Sequence, residues 1–238
     1  MIVDIFIPCF IDQIFPQIGF KMVKVLESIG CSVNYNQNQT CCGQPSFNAG
    51  LWKDCEPVAE KFLNDFDSDR FVVVPSASCV GFVKNSYPKI FKDSTSLTKV
   101  NLLKPRLFEF TEFLVDELNI SNVNAVFEGA ATYHDACSAL RECGIKEAPR
   151  KLLSNVKGLE LIEMEDVETC CGFGGTFSVK FEGISNGMLE QKLEAIENTG
   201  ADYIISTDAS CLMHMDAYIK KQGYTYKTLH IAEVLASN

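Results

Sequence analysis

One pattern of cysteines occurs twice in this 238-residue chain, and it constrains the fold more than any other feature. Cys9 is followed 32 residues later by Cys41 in Thr40-Cys41-Cys42-Gly43, and VVVPSASC closes the set at Cys79, 37 residues beyond the pair. The landmarks recur in the same order as Cys137, then 33 residues on Cys170 in Thr169-Cys170-Cys171-Gly172, then YIISTDASC ending at Cys211, 40 residues beyond the pair. Matched order and near-equal spacing mark an internal duplication. The chain therefore divides into a first unit over residues 1–120 and a second over 123–238, with the polar stretch Asn119–Asn124 as linker.

Each unit reads as strands alternating with helices. IVDIFIP is a strand-like apolar run, and Met22, Val25, Leu26 and Ile29 mark one helix face that Gly30 can stop. Strands are expected at Ser32–Tyr35 and Phe71–Val74, around a helix face of Ala59, Phe62, Leu63 and Phe66. The second unit repeats the plan, with strands near 125–133, 159–162 and 203–206 and a helix face of Leu189, Leu193 and Ile196. FEFTEFLVDEL and HIAEVLA read as closing helices. The expected class is α/β: two tandem Rossmann-like parallel-sheet units with right-handed crossovers. Every cysteine group then follows a strand, at the carboxyl edge of a parallel sheet, where ligands bind in open α/β sheets. Cys9, Cys41, Cys42 and Cys79 converge at one such edge, and Cys137, Cys170, Cys171 and Cys211 at the other.

A net charge of -10 argues against nucleic acid as a partner, since a polyanion rewards clustered Lys and Arg. No apolar run reaches the ~18 residues of a transmembrane segment. The N-terminus carries Asp4 inside its apolar stretch and has no basic leader, so the expected location is the cytoplasm. Eleven cysteines in such a compartment read as metal or redox chemistry rather than disulfides.

Four converging thiolates are soft ligands for zinc or for iron–sulfur clusters. Structural zinc sites favour C-x₂₋₄-C pairs, whereas adjacent cysteines suit a cluster with several irons, each thiolate reaching a different one. Iron–sulfur ligation is the stronger reading, with zinc an alternative at one site. Gly43 and Gly172 lack a Cβ and can turn sharply or let backbone approach the centre. His134 and His214, three residues from Cys137 and Cys211, are candidate donors around the second centre. Asp135 is a candidate by location alone. Cys31, Cys55 and Cys143 find no partner in the repeat and read as buried apolar residues.

The repeated Cys…TCCG…SxxC pattern resembles the cysteine-rich CCG-domain family, over the whole chain. That family includes the cysteine-rich subunit of heterodisulfide reductase and the glycolate oxidase iron–sulfur subunit. The resemblance implies one 4Fe–4S-type cluster per unit, held by the eight repeated cysteines. The compact layout, without a ferredoxin extension, is most similar to members that work with a ferredoxin-like iron–sulfur subunit and a third subunit to oxidise L-lactate to pyruvate. The implied role is an iron–sulfur subunit of a multi-subunit 2-hydroxyacid oxidoreductase, with a small-molecule substrate a candidate ligand. One departure stands out. The heterodisulfide reductase pattern closes each motif with CxxC, and here the first position of that pair is Ser76 or Asp208. A zinc-bound scaffold and a thiol–disulfide sensor built on the vicinal pairs are the competing classes.

Overall fold

The computed structural model describes residues 1–237. The first unit runs β1 (Ile2–Ile5), α1 (Cys9–Ile14), α2 (Pro16–Ser28), β2 (Ser32–Tyr35), α3 (Gln44–Asn48), α4 (Trp52–Asp65), β3 (Val72–Val74), α5 (Ala77–Ile90), α6 (Ser94–Leu103), β4 (Leu107–Glu109) and α7 (Phe110–Glu112), the last prolonged by a wider π turn over Phe113–Glu117. The second runs β5 (Val126–Tyr133), α8 (Cys137–Glu142), α9 (Glu147–Leu153), β6 (Lys157–Leu161), α10 (Thr176–Lys180), α11 (Glu182–Glu197), β7 (Tyr203–Ser206), α12 (Ala209–Gln222), β8 (Lys227–His230) and α13 (Ile231–Leu235).

The two units build the same sheet. Strand order is β2-β1-β3-β4 in one and β6-β5-β7-β8 in the other, every pairing parallel. Helices cover both faces, so the central strands are buried runs such as Val72–Val74 and Ile204–Ser206. The α/β class and the duplicated parallel units are as the sequence led us to expect. The closing segments differ. FEFTEFLVDEL begins with a strand, β4, and β8 precedes the second closing helix, so each sheet gains a fourth strand. Pairing over three or four residues leaves no period to read, and the helical text that follows masks it.

The units do not stand apart. One continuous apolar core takes in Val3, Ile5, Met22 and Leu26 of the first sheet layer together with Tyr133, Leu189, Ile205 and Leu212 of the second. A separate core behind the first sheet gathers Phe6, Phe62, Phe66, Phe82 and Tyr87. The closing strands seal the seam. Glu109 and His230 end β4 and β8 at equivalent points, and each caps its following helix in a reciprocal capping box, with Glu112 and Glu233 respectively. Glu109 also accepts a hydrogen bond from the Thr207 hydroxyl of the other unit, and His230 Nε2 contacts the Thr207 carbonyl at 3.1 Å. This seam brings the carboxyl edges of the two sheets to face a common cleft.

Candidate metal centre

All eight repeated cysteines line one cavity of about 400 Å³ between the units. Local structure explains how they arrive there. Cys9 and Cys137 are the first residues of α1 and α8, and Cys79 and Cys211 lie in the first turns of α5 and α12. Unpaired amides at a helix start favour a thiolate. The vicinal pairs follow β2 and β6 on loops that turn at Gly43 and Gly172, whose φ angles are +92° and +84°. A Cβ on Gly43 would meet Cys55 Sγ at 2.9 Å, and one on Gly172 would meet the Ser185 carbonyl oxygen at 2.5 Å. Both glycines are thus required by conformation and by close approach.

In the first unit the sulfurs form two pairs, Cys9 with Cys41 and Cys42 with Cys79, each at 3.4 Å. Cys41 Sγ also accepts the Gly43 amide at 3.4 Å, and Cys170 Sγ accepts the Gly172 amide at the same distance. Thiol donation from Cys42 and Cys9 holds Cys41 down to about 3, and donation from Cys137 and Cys171 holds Cys170 down to about 2. Their neighbours Cys9, Cys42, Cys137 and Cys171 are pushed up, chiefly because each donates its proton to that first thiolate. Each unit therefore gathers thiols that cannot all ionise in each other's company. A bound cation lifts that restriction, because a coordinating thiol is deprotonated outright.

The donor set fits a metal by a second observation. His134 is fully buried at the end of β5, and neither ring nitrogen has a hydrogen-bond partner among the described residues. One ring nitrogen and the sulfurs of Cys171 and Cys211 lie within 4.8 Å of one another. Desolvation depresses His134 to about 3, so its ring is neutral and one ring nitrogen carries an available lone pair.

The remaining expected residues take defined places. Asp135 is buried and bound by Arg150 through two contacts of 3.0 and 2.8 Å, which anchors the strand end two residues before Cys137. His214 Nε2 lies 3.1 Å from Ser185 Oγ, which donates to the Gly172 carbonyl at 2.8 Å. Ser76 and Asp208 both line the cavity. Asp208 reaches across the seam to accept from the Ser78 amide at 3.0 Å and from the Ser78 hydroxyl at 3.3 Å, so it caps the other unit's helix α5. Burial raises its carboxyl above the usual range.

Cys55 has a counterpart after all. Its thiol donates to the Gly43 carbonyl at 3.3 Å, the bond that Ser185 makes to Gly172. A serine in place of cysteine hid the equivalence. Lys192 is a residue that sequence reading missed. It is buried with its ammonium on the Val167 carbonyl at 2.7 Å, bracing the loop into Cys170. Glu109 and His230 were missed too, although the parallel texts FEFTE and LHIAE carry their capping boxes.

The family model of the CCG cysteine-rich domain matches this chain twice, at residues 3–84 and 131–216. The chain is 43% identical over 238 residues to "Lactate utilization protein A" of Geobacillus sp. (strain WCH70), covering all of both chains. It is 45% identical over 225 residues to the protein of that name from Lysinibacillus sphaericus (strain C3-41), covering 94% of this chain and 98% of the other. This chain belongs to the CCG cysteine-rich domain family, and within it to the lactate utilization protein A group. Among solved structures, a glutamate racemase from Francisella tularensis subsp. tularensis SCHU S4 aligns at 10% identity over 98% of this chain and 77% of that one, with a TM-score of 0.38, a likeness too slight to build on. No helix among the described residues is long and apolar enough to cross a membrane.

Proposed function

We propose that this chain is an electron-carrying iron–sulfur subunit of a multi-subunit system that oxidises L-lactate, or a related 2-hydroxy acid, to the 2-oxo acid. The observation that carries the reading is the single cavity lined by two copies of a four-cysteine set. On this reading Cys9, Cys41, Cys42 and Cys79 hold one 4Fe–4S-type cluster in the unit 1–120, and Cys137, Cys170, Cys171 and Cys211 hold another in 123–238. The clusters would supply one-electron redox chemistry. The protein's part is to keep thiolates at helix starts, to turn the vicinal pairs inward at Gly43 and Gly172, and to close the seam around both centres.

Adjacent cysteines support a cluster over a lone zinc ion in the first unit, because neighbouring thiolates can each reach a different iron. Cys41 and Cys42 are such neighbours in Thr40-Cys41-Cys42-Gly43. The compact group of His134, Cys171 and Cys211 favours zinc as the alternative occupant of the second site.

The cavity lining includes Glu142 and Asp208 and, among the described residues, no Lys or Arg. The lining thus offers no cation to a 2-hydroxy acid anion. The reading therefore places the substrate on a partner subunit and this chain in the path of the electrons, beside a ferredoxin-like iron–sulfur subunit and a third subunit. The relatives' printed name supplies lactate as the substrate class. The test is anaerobic: mix the loaded chain with its partner subunits, add L-lactate, and follow the visible iron–sulfur absorption. Bleaching in the assembly but not in the chain alone supports the role. An assembly that converts lactate at full rate with this chain's absorption unchanged overturns it.

A further inference from the structure

The two centres are framed by residues of opposite character at matching positions. Three residues before the single cysteine stands Phe6 in the first unit and His134 in the second. Seven residues beyond the Cys55/Ser185 pair stands Phe62 or Lys192, and three beyond the last cysteine stands Phe82 or His214. In the first unit Phe6 packs edge-on against Phe62 at 4.8 Å, and Phe82 packs edge-on against Phe47 at 5.3 Å. The second unit puts an imidazole where Phe6 lies, within the electrostatic reach of Lys192.

Of these exchanges, His134 is the one that faces metal chemistry. Its backbone is pinned, with its amide on the Ile205 carbonyl at 2.8 Å and its carbonyl accepting from Ser206 Oγ at 2.9 Å. The ring is therefore held in place, fully buried, with both nitrogens unpaired among the described residues. Buried polar atoms without partners are rare because each one forfeits its hydration. The phenylalanine at the matching position shows that the fold itself needs no polar group there. One ring nitrogen shares a 4.8 Å neighbourhood with Cys171 and Cys211.

We infer that His134 is a nitrogen ligand of the second unit's metal centre, acting beside Cys171 and Cys211, so that the two centres differ in ligation. The inference rests on the proposed metal centres and adds a donor to one of them. A neutral imidazole brings less negative charge than a thiolate, so exchanging His134 for cysteine lowers the potential of the second centre.

The full-length chain, grown with ¹⁵N-histidine, loaded with iron and sulfide without oxygen and reduced with dithionite, gives the test. It holds three histidines, so pulsed electron paramagnetic resonance reads few candidates. The expected result is a strong ¹⁵N coupling in the wild type and in His214→Gln, lost in His134→Phe and in His134→Cys. His134→Cys retains a ligand, so it keeps its iron while the second centre's potential shifts downward, even if His134→Phe loads poorly. Two loaded centres without ¹⁵N coupling, or a coupling that survives His134→Cys, overturn the inference and leave the redox function standing. A chain that binds zinc and no reducible iron overturns the redox function instead. X-ray absorption at the zinc edge then decides the ligand: a nitrogen neighbour lost in His134→Cys supports His134, and a sulfur-only shell overturns it.

Discussion

The seam that closes the cavity depends on a carboxyl group held where charge is costly. Glu109 is fully buried. Burial raises it from 4.5 to about 7, against the lowering effect of hydrogen bonds from Thr111 and Thr207. The folded chain therefore binds a proton that the unfolded chain releases between those values, and the sign of the linkage follows. Stability from this group is fully present below about pH 4.5 and is lost as pH rises through about 7. A shift of this size is worth about 3 kcal/mol at roughly 1.4 kcal/mol per unit, of which roughly 2 kcal/mol falls between about pH 5.5 and 8.5. Glu109→Gln keeps the shape, accepts from the Thr111 and Glu112 amides, and can donate to the Thr207 hydroxyl, but it cannot titrate. His134 and His230, depressed by desolvation to about 3 and about 4, act in the opposite sense, adding stability as pH rises through the unfolded histidine range. The informative quantity is thus the difference between wild type and variant. Anaerobic urea unfolding at several pH values should show Glu109→Gln gaining on the wild type by roughly 2 kcal/mol from about pH 5.5 to 8.5. Parallel profiles would refute the argument that Glu109 is buried and protonated at the seam.

Arg150→Met strips the guanidinium from buried Asp135 and should cost about 3–5 kcal/mol by thermal or urea unfolding, with Asp135→Asn in the same chain recovering much of it. Gly172→Ala pushes a methyl group to 2.5 Å from a backbone carbonyl, whereas on Gly43→Ala the one contact below 3 Å is the Cys55 sulfur, so the former should lose more stability and load less metal in the second unit. Metal analysis with melting curves of both variants checks the order. Cys55→Ser should leave metal content unchanged, because serine makes the same bond to the preceding turn that Ser185 makes naturally. Loss of iron would put Cys55 among the ligands.

Much of this architecture was legible because duplication writes it twice. The TCCG turns and the strands before Cys79 and Cys211 could be checked against each other, and the structure brings all eight cysteines to one cavity. What escaped was information that no local period carries. Strands β4 and β8 are three and four residues long and take their identity from pairing with β3 and β7. The Cys55–Ser185 equivalence exchanged one donor for another of different apparent chemistry. The seam contacts of Glu109 with Thr207 and of Ser78 with Asp208 join residues 98 and 130 positions apart, which only the packing of the two sheets determines. His134 was visible as a candidate from its spacing to Cys137. Its two unpaired ring nitrogens and its phenylalanine counterpart gain meaning only inside a solvent-free core.

The central claim is two iron–sulfur centres in one chain. Its most direct test is iron, zinc and acid-labile sulfide per chain after purification and reconstitution without oxygen, with visible spectra before and after dithionite. About eight irons with matching sulfide, falling to about four in Cys41→Ser and in Cys170→Ser, is the predicted result. Zinc without a reducible absorption, or neither metal, would contradict it.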